Sequence, residues 1–534
     1  MTEERHVAGG DRPAKLVMLV DNGVVGDSRV QKQARSAADA GWDVTLVGLR
    51  SNGSRRFDWT IGQAKVELYG IPAPLRQHKS RLRWSVRRPL AYPPGQIAAY
   101  QAQMVKARRA DLTARFGRLA QARTSGASAV RLAAMRVRLL PAQAGLRAFR
   151  HWVALRTAEL KRLQAGRDDR NSILTRLTVG TLRAVHGRRS WRRLDPALWD
   201  YELALGPVVD RLKPDVIHAN DYRMVGVGAR AKLRAASRGR SVKLVWDAHE
   251  YVPGMNHRPG NPRWLPAQAA HEREYAVHAD EVVTVSPLLA ELLRKEHRLP
   301  RTPTVVLNAP DLSAASFEGP SLREQCAVGA DTPLLVYCGG VNDVRGVDVA
   351  VRALPVLPGV HLALVSVHPN GNRSTVEPVE ELARTLGVAD RVHVLPYVQH
   401  WEVVPFLAEA DAAFSGLLHL PNHEIALSNK FFEYSQARLP LLVSDVRAMT
   451  ETVRATGQGE VFRADDVADF AAAARRVLAD PARYRAAYDA PGLLDGWTWA
   501  QQAAVLMDVY RRVAPLVCPR QATQSDPSPS MALS

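Results

Sequence analysis

The sequence predicts an α/β protein built on two doubly wound parallel sheets, with a basic helical insertion in the first. Two series of short apolar runs alternate with helix-length segments, the pattern left by parallel strands buried on both faces. At 534 residues the chain exceeds what one ordinary core fills, so two domains are expected. Its excess positive charge is confined to one stretch that interrupts the first series.

The first series opens with the apolar run Leu16–Val20, a loop through Gly23 and Gly26, and a helical pattern from Ser28 to Ala40 that Gly41 terminates. Val44–Val47 reads as the next strand. Beyond the basic stretch the same grammar resumes at Val216–His218, Lys243–Trp246 and Glu281–Val285, and Ser286 followed by Pro287 supplies an N-cap and a first-turn proline. These elements define a Rossmann-like domain over 14–309. A second such domain covers 310–498, with strands at Leu334–Tyr337, His361–Val365, Val392–Leu395, Ala412–Phe414 and Leu441–Val443. Its opening, Pro310 to Pro333, is rich in Ser, Gly and Pro and reads as a connection. A helix over 499–515 is expected to return to the first domain, and 516–534, rich in Ser, Pro and Gln, to be a disordered tail.

The formal net charge is +19, and the segment 76–194 holds about 28 Lys and Arg against about 4 acids, leaving the rest of the chain slightly acidic. Within it Leu132, Met135 and Leu139 recur at helical spacing among Arg131, Arg136 and Arg138, as in a helix lying on an anionic surface. Trp84, Trp152 and Trp191 are candidate interface anchors. Two readings stay open from the residues alone: docking on an anionic membrane surface, or packing on the first domain with solvated arginines. Nucleic acid is disfavoured, because no reader module or dense aromatic interleaving accompanies the charge.

Cys326, Cys338 and Cys518 form no C-x-x-C pair, and the histidines form no cluster at ligand spacing. Neither a disulfide framework nor a metal site is therefore expected, which suits a reducing cytosol. Glu3, Glu4 and Asp11 occupy the N-terminus without an apolar region, so no cleaved leader is expected, and no apolar run approaches the roughly 18 residues of a membrane span. The expectation is a cytoplasmic protein, peripheral at the inner face of the membrane if the insertion docks there.

Ligands of doubly wound sheets bind beyond the carboxyl ends of the strands, so chemistry is sought in the loops that follow them. The strongest local signal is Glu424-Ile425-Ala426-Leu427-Ser428-Asn429-Lys430-Phe431-Phe432-Glu433-Tyr434. A helix start there offers free N–H groups to a diphosphate, Lys430 adds a positive charge, and Glu433 one turn later can accept hydrogen bonds from ribose hydroxyls. An ordinary surface pair of Lys430 and Glu433 is the plainer alternative. Upstream, Gly339-Gly340 follows a strand and Arg345 opens a helix, so backbone and guanidinium can both approach a phosphate; taken alone, such glycines more often mark a simple tight turn. In the first series the loop through Gly26 presents Asp27 and Arg29, and Asp27 also suits a helix cap. His218 and Asp221 stand at one strand end, and Asp247, His249 and Glu250 at another.

Together, Asp27-Ser28-Arg29-Val30, Asp247-Ala248-His249-Glu250, Val285-Ser286, Asn308-Ala309-Pro310, Asn429 to Tyr434 and Trp497-Thr498-Trp499 resemble the retaining glycosyltransferases of family four, whose fold is called GT-B. The resemblance spans about Lys15 to Arg50 and Asp215 to Val513. It implies transfer of a sugar from a nucleotide diphosphate sugar to an acceptor hydroxyl, with retention and without a metal or other cofactor. It assigns Glu433 to the ribose, Arg345 and Lys430 to the diphosphate with Gly340 and Asn429 beside them, and Glu424 or its backbone neighbours to the donor sugar. His249 would lie near the transferred sugar, and Asp27 with Gly26 near the acceptor, flanked by Arg29, His218, Asp221, Asp247 and Glu250. In one place the sequence departs from the family, whose paired glutamates stand eight positions apart: Glu424 and Glu433 are nine apart, and the matching position is Ile425. A glycolipid or cell-envelope glycan is the expected acceptor class. Two other functions remain open at this level: a nucleotide-sugar epimerase of the same fold, and a non-catalytic adaptor for membrane or nucleic acid.

Overall fold

A computed structural model describes residues 13–50, 57–71, 89–93, 97–168, 173–256, 261–313, 316–367 and 373–515. The chain forms two compact units: one comprises Met1–Pro72, Leu198–Asn256 and Gln268–Ser534, the other Ala73–Ala197 and His257–Ala267.

The first unit contains both sheets. The first sheet is made of β1 (Lys15–Leu19), β2 (Asp43–Arg50), β3 (Phe57–Ile61), β4 (Ala64–Gly70), β5 (Val216–Asn220), β6 (Lys243–Ala248), β7 (Glu281–Thr284) and β8 (Thr304–Val305). Their order is β3-β4-β2-β1-β5-β6-β7-β8, parallel except for the β3–β4 hairpin at the edge. The second sheet is made of β9 (Leu334–Cys338), β10 (His361–Val367), β11 (Val392–Pro396), β12 (Ala412–Ser415), β13 (Leu441–Ser444) and β14 (Gly459–Phe462). All its pairs are parallel, in the order β11-β10-β9-β12-β13-β14. This is the doubly wound arrangement expected, repeated twice. β1 reads KLVML and β9 reads LLVYC, apolar on both faces because helices cover both sides of each sheet.

The chain direction reverses beside the opening strand of each sheet, between β1 and β5 and between β9 and β12. A crevice opens at such a switch point. Helix starts are fixed locally: Asp27 accepts a hydrogen bond from the Val30 N–H to cap the helix Ser28–Asp39, and Ser286 accepts one from Leu289 to cap Pro287–His297. The last helix, Trp499–Val513, buries Trp499, Leu506, Tyr510 and Val513 in one core with Leu16, Met18 and Val216 of the first sheet. Each such fully buried large side chain contributes about 1.5–3 kcal/mol.

Several elements differ from the sequence-based expectation. Strands β3, β4, β8 and β14 were not anticipated, because they are short, alternate with polar residues or lie at sheet edges. The stretch expected to be a connection before β9 contains the helix Leu322–Cys326, closed by a capping box between Ser321 and Glu324. The expected tail over 516–534, with Cys518, lies outside the described residues, as does Trp84.

The second unit is helical. Ile97–Thr124 and Ala129–Asp168 pack against each other as a hairpin, followed by Ile173–His186 and Trp191–Leu194. Its small core joins Tyr92, Val153 and Leu160 with Ile97, Val105 and Phe149. Residues 257–267, which the sequence reading left in the first domain, group with this unit. Trp191 is fully buried and so is no interface anchor, a correction to the sequence reading, whereas Trp152 is exposed. No helix of the described residues is long and apolar enough to cross a membrane.

Candidate active site

The strand-end loops of the first unit converge on a cavity of about 550 Å³. Of the residues singled out from sequence, Asp27, Arg29, His249, Glu250, Arg345, Asn429 and Lys430 line it. Asn308, Asn342, Asn422 and His423 line it as well. The loops from the two sheets are tied across this space: the Asn308 amide donates to Asn429 Oδ1 at 2.7 Å, the Tyr251 N–H donates to Asn422 Oδ1 at 2.8 Å, and the Ser286 hydroxyl donates to the Ile425 carbonyl at 2.5 Å.

On the second sheet's side the site is cationic. Lys430 begins the helix Asn429–Gln436, and Arg345 follows the loop after β9. The Lys430 ammonium lies 5.3 Å from the centre of the Tyr337 ring, and burial, reinforced by the neighbouring Arg345 charge, lowers it to about 8. Among the described residues no carboxylate forms an ion pair with either cation. Two positive groups in one half-buried site, with Glu433 and Glu250 near enough to act on their charge but not ion-paired to them, make a strong place for a polyanion. Glu433, one turn beyond Lys430, is partly buried, and burial raises its carboxyl against the pull of Lys430 and Lys32.

The glycines of the β9 loop serve different ends. At Gly339 the backbone has φ +122°, and an added Cβ would meet the Lys430 side chain. At Gly340 an added Cβ would meet no protein atom within 4 Å, so that position opens outward. The loops after β9 and β12 also touch: Gly346, at φ +60°, leaves no room for a Cβ, which would stand 1.9 Å from the Gly416 carbonyl oxygen.

On the first sheet's side a buried polar network lies beneath the cavity. Asp247, fully buried, accepts two hydrogen bonds from the Arg29 guanidinium, at 2.9 and 3.0 Å, and one from the Gln33 amide at 2.6 Å. Arg29 donates its remaining bond to the Val306 carbonyl at 2.8 Å. Burial alone would raise the Asp247 carboxyl, but the charges of Arg29 and His249 outweigh it and hold it well below the usual carboxylate range.

His249 stands between two carboxylates, with Nε2 3.3 Å from Asp247 and Nδ1 3.4 Å from Asp221. Burial disfavours its charge, yet those carboxylates prevail and raise it to about 9. Burial lifts Asp221 to about 7 in spite of His249. Asp221 also adopts φ +65°, an uncommon conformation for a residue with a side chain, at the β1/β5 switch point.

The remaining expected site residues do not line the cavity. Gly26, at φ +85°, shapes the turn that delivers Asp27. His218 is fully buried, 3.6 Å from Asp247 on one side and 2.8 Å from the Tyr510 hydroxyl on the other. Asp247 lies fully buried beneath the cavity, its charge met by Arg29. Glu424 is turned to other work: its Oε1 is 2.6 Å from His419 Nδ1, and its Oε2 accepts from the Arg447 N–H at the start of the helix Arg447–Thr456. That arrangement suits a helix anchor.

Sequence reasoning missed Lys32 and Gln33 beside Arg29, and Tyr510 beneath His218. Lys32 is buried, bonds Asn308 and the Ala309 carbonyl, lies over the Trp499 ring, and is lowered by burial to about 8. The available signal was three long polar residues at positions i, i+3 and i+4 of one helix, whose shared face must point inward together.

Comparisons with known proteins bear on the family and the fold. Residues 332–480 match the family described as "Glycosyl transferases group 1", and residues 144–313 match "Glycosyltransferase Family 4". The chain is 25% identical over 312 residues to D-inositol 3-phosphate glycosyltransferase of Xylanimonas cellulosilytica, covering 55% of this chain and 71% of that protein. It is 27% identical over 326 residues to the enzyme of the same name from Nocardiopsis dassonvillei, covering 58% and 73%. In fold it is similar to sucrose-phosphate synthase from Thermosynechococcus elongatus, with a TM-score of 0.58 at 15% identity over 94% of this chain and 99% of that one. It is similar also to HepE from Anabaena, solved in complex with UDP and glucose, with a TM-score of 0.55 at 11% identity over 93% and 99%.

Proposed function

Since the chain belongs to glycosyltransferase family 4 and has the two-sheet GT-B fold, we propose that it moves a sugar, with retention of anomeric configuration, from a nucleotide diphosphate sugar to an acceptor hydroxyl. The observation that carries the reading is the pair Arg345 and Lys430, two cations from separate loops that face one cavity and find no carboxylate partner among the described residues.

In this reading the diphosphate lies against Arg345, Lys430 and the outward-open Gly340, with Asn429 beside it and the ribose hydroxyls on the Glu433 carboxylate. As the bond from the anomeric carbon to the diphosphate oxygen breaks, negative charge gathers on that oxygen, where the two cations already stand. The acceptor hydroxyl attacks from the face the diphosphate leaves, and its proton passes to the departing phosphate oxygen. His249, charged below about 9 and lining the cavity, lies near the transferred sugar, and Asp27 orients the acceptor. The charge on the leaving group is met by side chains, so no metal is called for. The names of the relatives and the UDP complex of HepE support a nucleotide-sugar donor and a hydroxylated acceptor; the glycolipid or cell-envelope glycan class is carried over from the sequence reading alone.

The test is a thermal-shift screen of UDP-, GDP- and ADP-sugars on the full chain, followed by NMR of the product made from the sugar that binds. A ligand-specific rise in stability that Arg345→Ala and Lys430→Ala remove, with an anomeric configuration unchanged from the donor, is the expected result. Inversion would end the retaining mechanism. Unaltered donor affinity in both variants would end the assignment of the diphosphate site, and free epimerised donor formed without acceptor would favour the epimerase.

A further inference from the structure

The sequence suggested that Leu132, Met135 and Leu139 face an anionic surface, but all three are partly covered. At 100° per residue they share a side of the helix Ala129–Asp168 with Phe149, Val153 and Leu160, which form the core of the hairpin. The stripe read from sequence therefore holds the hairpin together.

A different set of apolar residues faces outward. Val130, Val137, Leu140, Trp152 and Leu155 are 46–81% exposed, and on the same helical count they fall within roughly 120° of one another, opposite the inner stripe. They extend along about 37 Å of helix. Arg131 and Arg138 border this strip on one flank, Arg136 and Arg147 on the other. The helix is thus apolar on two opposite faces and basic between them, so its net amphipathicity nearly cancels although each face is well formed.

We propose that the outer face of the helix Ala129–Asp168 is a docking surface for an anionic lipid bilayer. The apolar strip enters the boundary between headgroups and acyl chains, and the flanking guanidinium groups reach lipid phosphates along their own apolar stems. Charge selects this occupant over a second copy of the chain: the two hairpin helices carry fifteen Lys and Arg against three acids, so two such faces repel each other. A bare polyanion would satisfy the arginines but leave the Trp152, Leu140 and Leu155 side chains in water.

Flotation of the full chain decides it, using vesicles of phosphatidylcholine with phosphatidylglycerol and vesicles of phosphatidylcholine alone. Binding to the anionic vesicles, weakened by salt, is expected, with a loss of about tenfold or more in Leu140→Glu/Leu155→Glu and a smaller loss in Arg136→Gln/Arg147→Gln. All four positions are on the surface, and unchanged circular dichroism and thermal unfolding will separate loss of docking from loss of fold. Equal flotation of the Leu140→Glu/Leu155→Glu variant, equal binding to neutral vesicles, or a dimer in sedimentation that the same variant dissolves would each overturn the proposal.

Discussion

Gly339 and Lys430 are packed so closely that a Cβ on the glycine would stand 2.6 Å from the lysine Cε and 2.8 Å from its Nζ. The loop after β9 thus leaves room for the ammonium from the start of the helix Asn429–Gln436, and the cationic half of the site depends on a missing side chain. Gly339→Ala must push the lysine aside and also adopt φ +122°. Donor affinity is expected to fall roughly tenfold, about 1.4 kcal/mol, by isothermal titration. Gly340→Ala, whose Cβ meets no protein atom, is expected to leave thermal stability unchanged while still weakening the donor.

The depressed ammonium of Lys430 gives binding a pH dependence. In the free protein it loses its proton near 8, and a bound diphosphate raises it again, so above that pH binding must take up a proton. Affinity for a nucleoside diphosphate is expected to decline above pH 8, with a slope approaching one logarithmic unit per pH unit. Lys430→Arg, which stays charged, should flatten the slope; a slope that persists would assign the proton elsewhere.

Arg29 and Asp247 form the buried pair on which the other half of the site rests. Removing one partner strands a buried charge, so Asp247→Ala is expected to cost about 3–5 kcal/mol in urea unfolding. The folded protein holds this carboxyl well below its usual range, whereas an unfolded chain protonates it near 3.9, by ordinary values. Its stabilising contribution is therefore complete above about pH 4 and drains away as pH falls further, because only the unfolded state takes up the proton. The Asp247→Asn variant should lose less stability than wild type on acidification.

Tyr510 reaches from the last helix to His218, which lies against Asp247. Tyr510→Phe keeps the ring in the core and removes only the hydroxyl. Loss of that buried bond is expected to cost about 1–3 kcal/mol, seen as a lower melting temperature without change in circular dichroism.

Glu424 and Glu433 are expected to separate cleanly. Glu433→Gln should raise the donor KM severalfold, since the reading assigns its carboxylate to the ribose hydroxyls and the Lys430 charge acts on it. Glu424→Gln should leave KM within about twofold and act on stability instead, because that carboxylate holds His419 and the Arg447 N–H. Equal effects on KM would return Glu424 to the donor site.

Much of this architecture was readable in advance. β1, β9 and the strands beside them are continuous apolar runs, and Asp27, Ser286 and Gly41 mark helix ends by local chemistry that needs no distant partner. The strand-end positions of His249, Arg345 and Lys430 followed from the rule that ligands gather beyond the carboxyl ends of parallel strands. β3 and β14 escaped because edge strands lack the two-sided burial that produces a long apolar run. Glu424 looked like a site residue because sequence spacing carries no information about which way a side chain turns within the short helix Pro421–Ile425.

The sequence by itself determined the long apolar interior strands, where the helices after several of them start, and that the positive charge belongs to one stretch, since periodicity and capping act over a few residues. Only the tertiary structure decided that Asp247 is claimed by Arg29, that Tyr510 reaches His218 from 292 residues away, and which of two apolar stripes on the helix Ala129–Asp168 is spent on its neighbour. Those outcomes depend on distances between groups far apart in the chain, and folding sets them all at once when it fills the core.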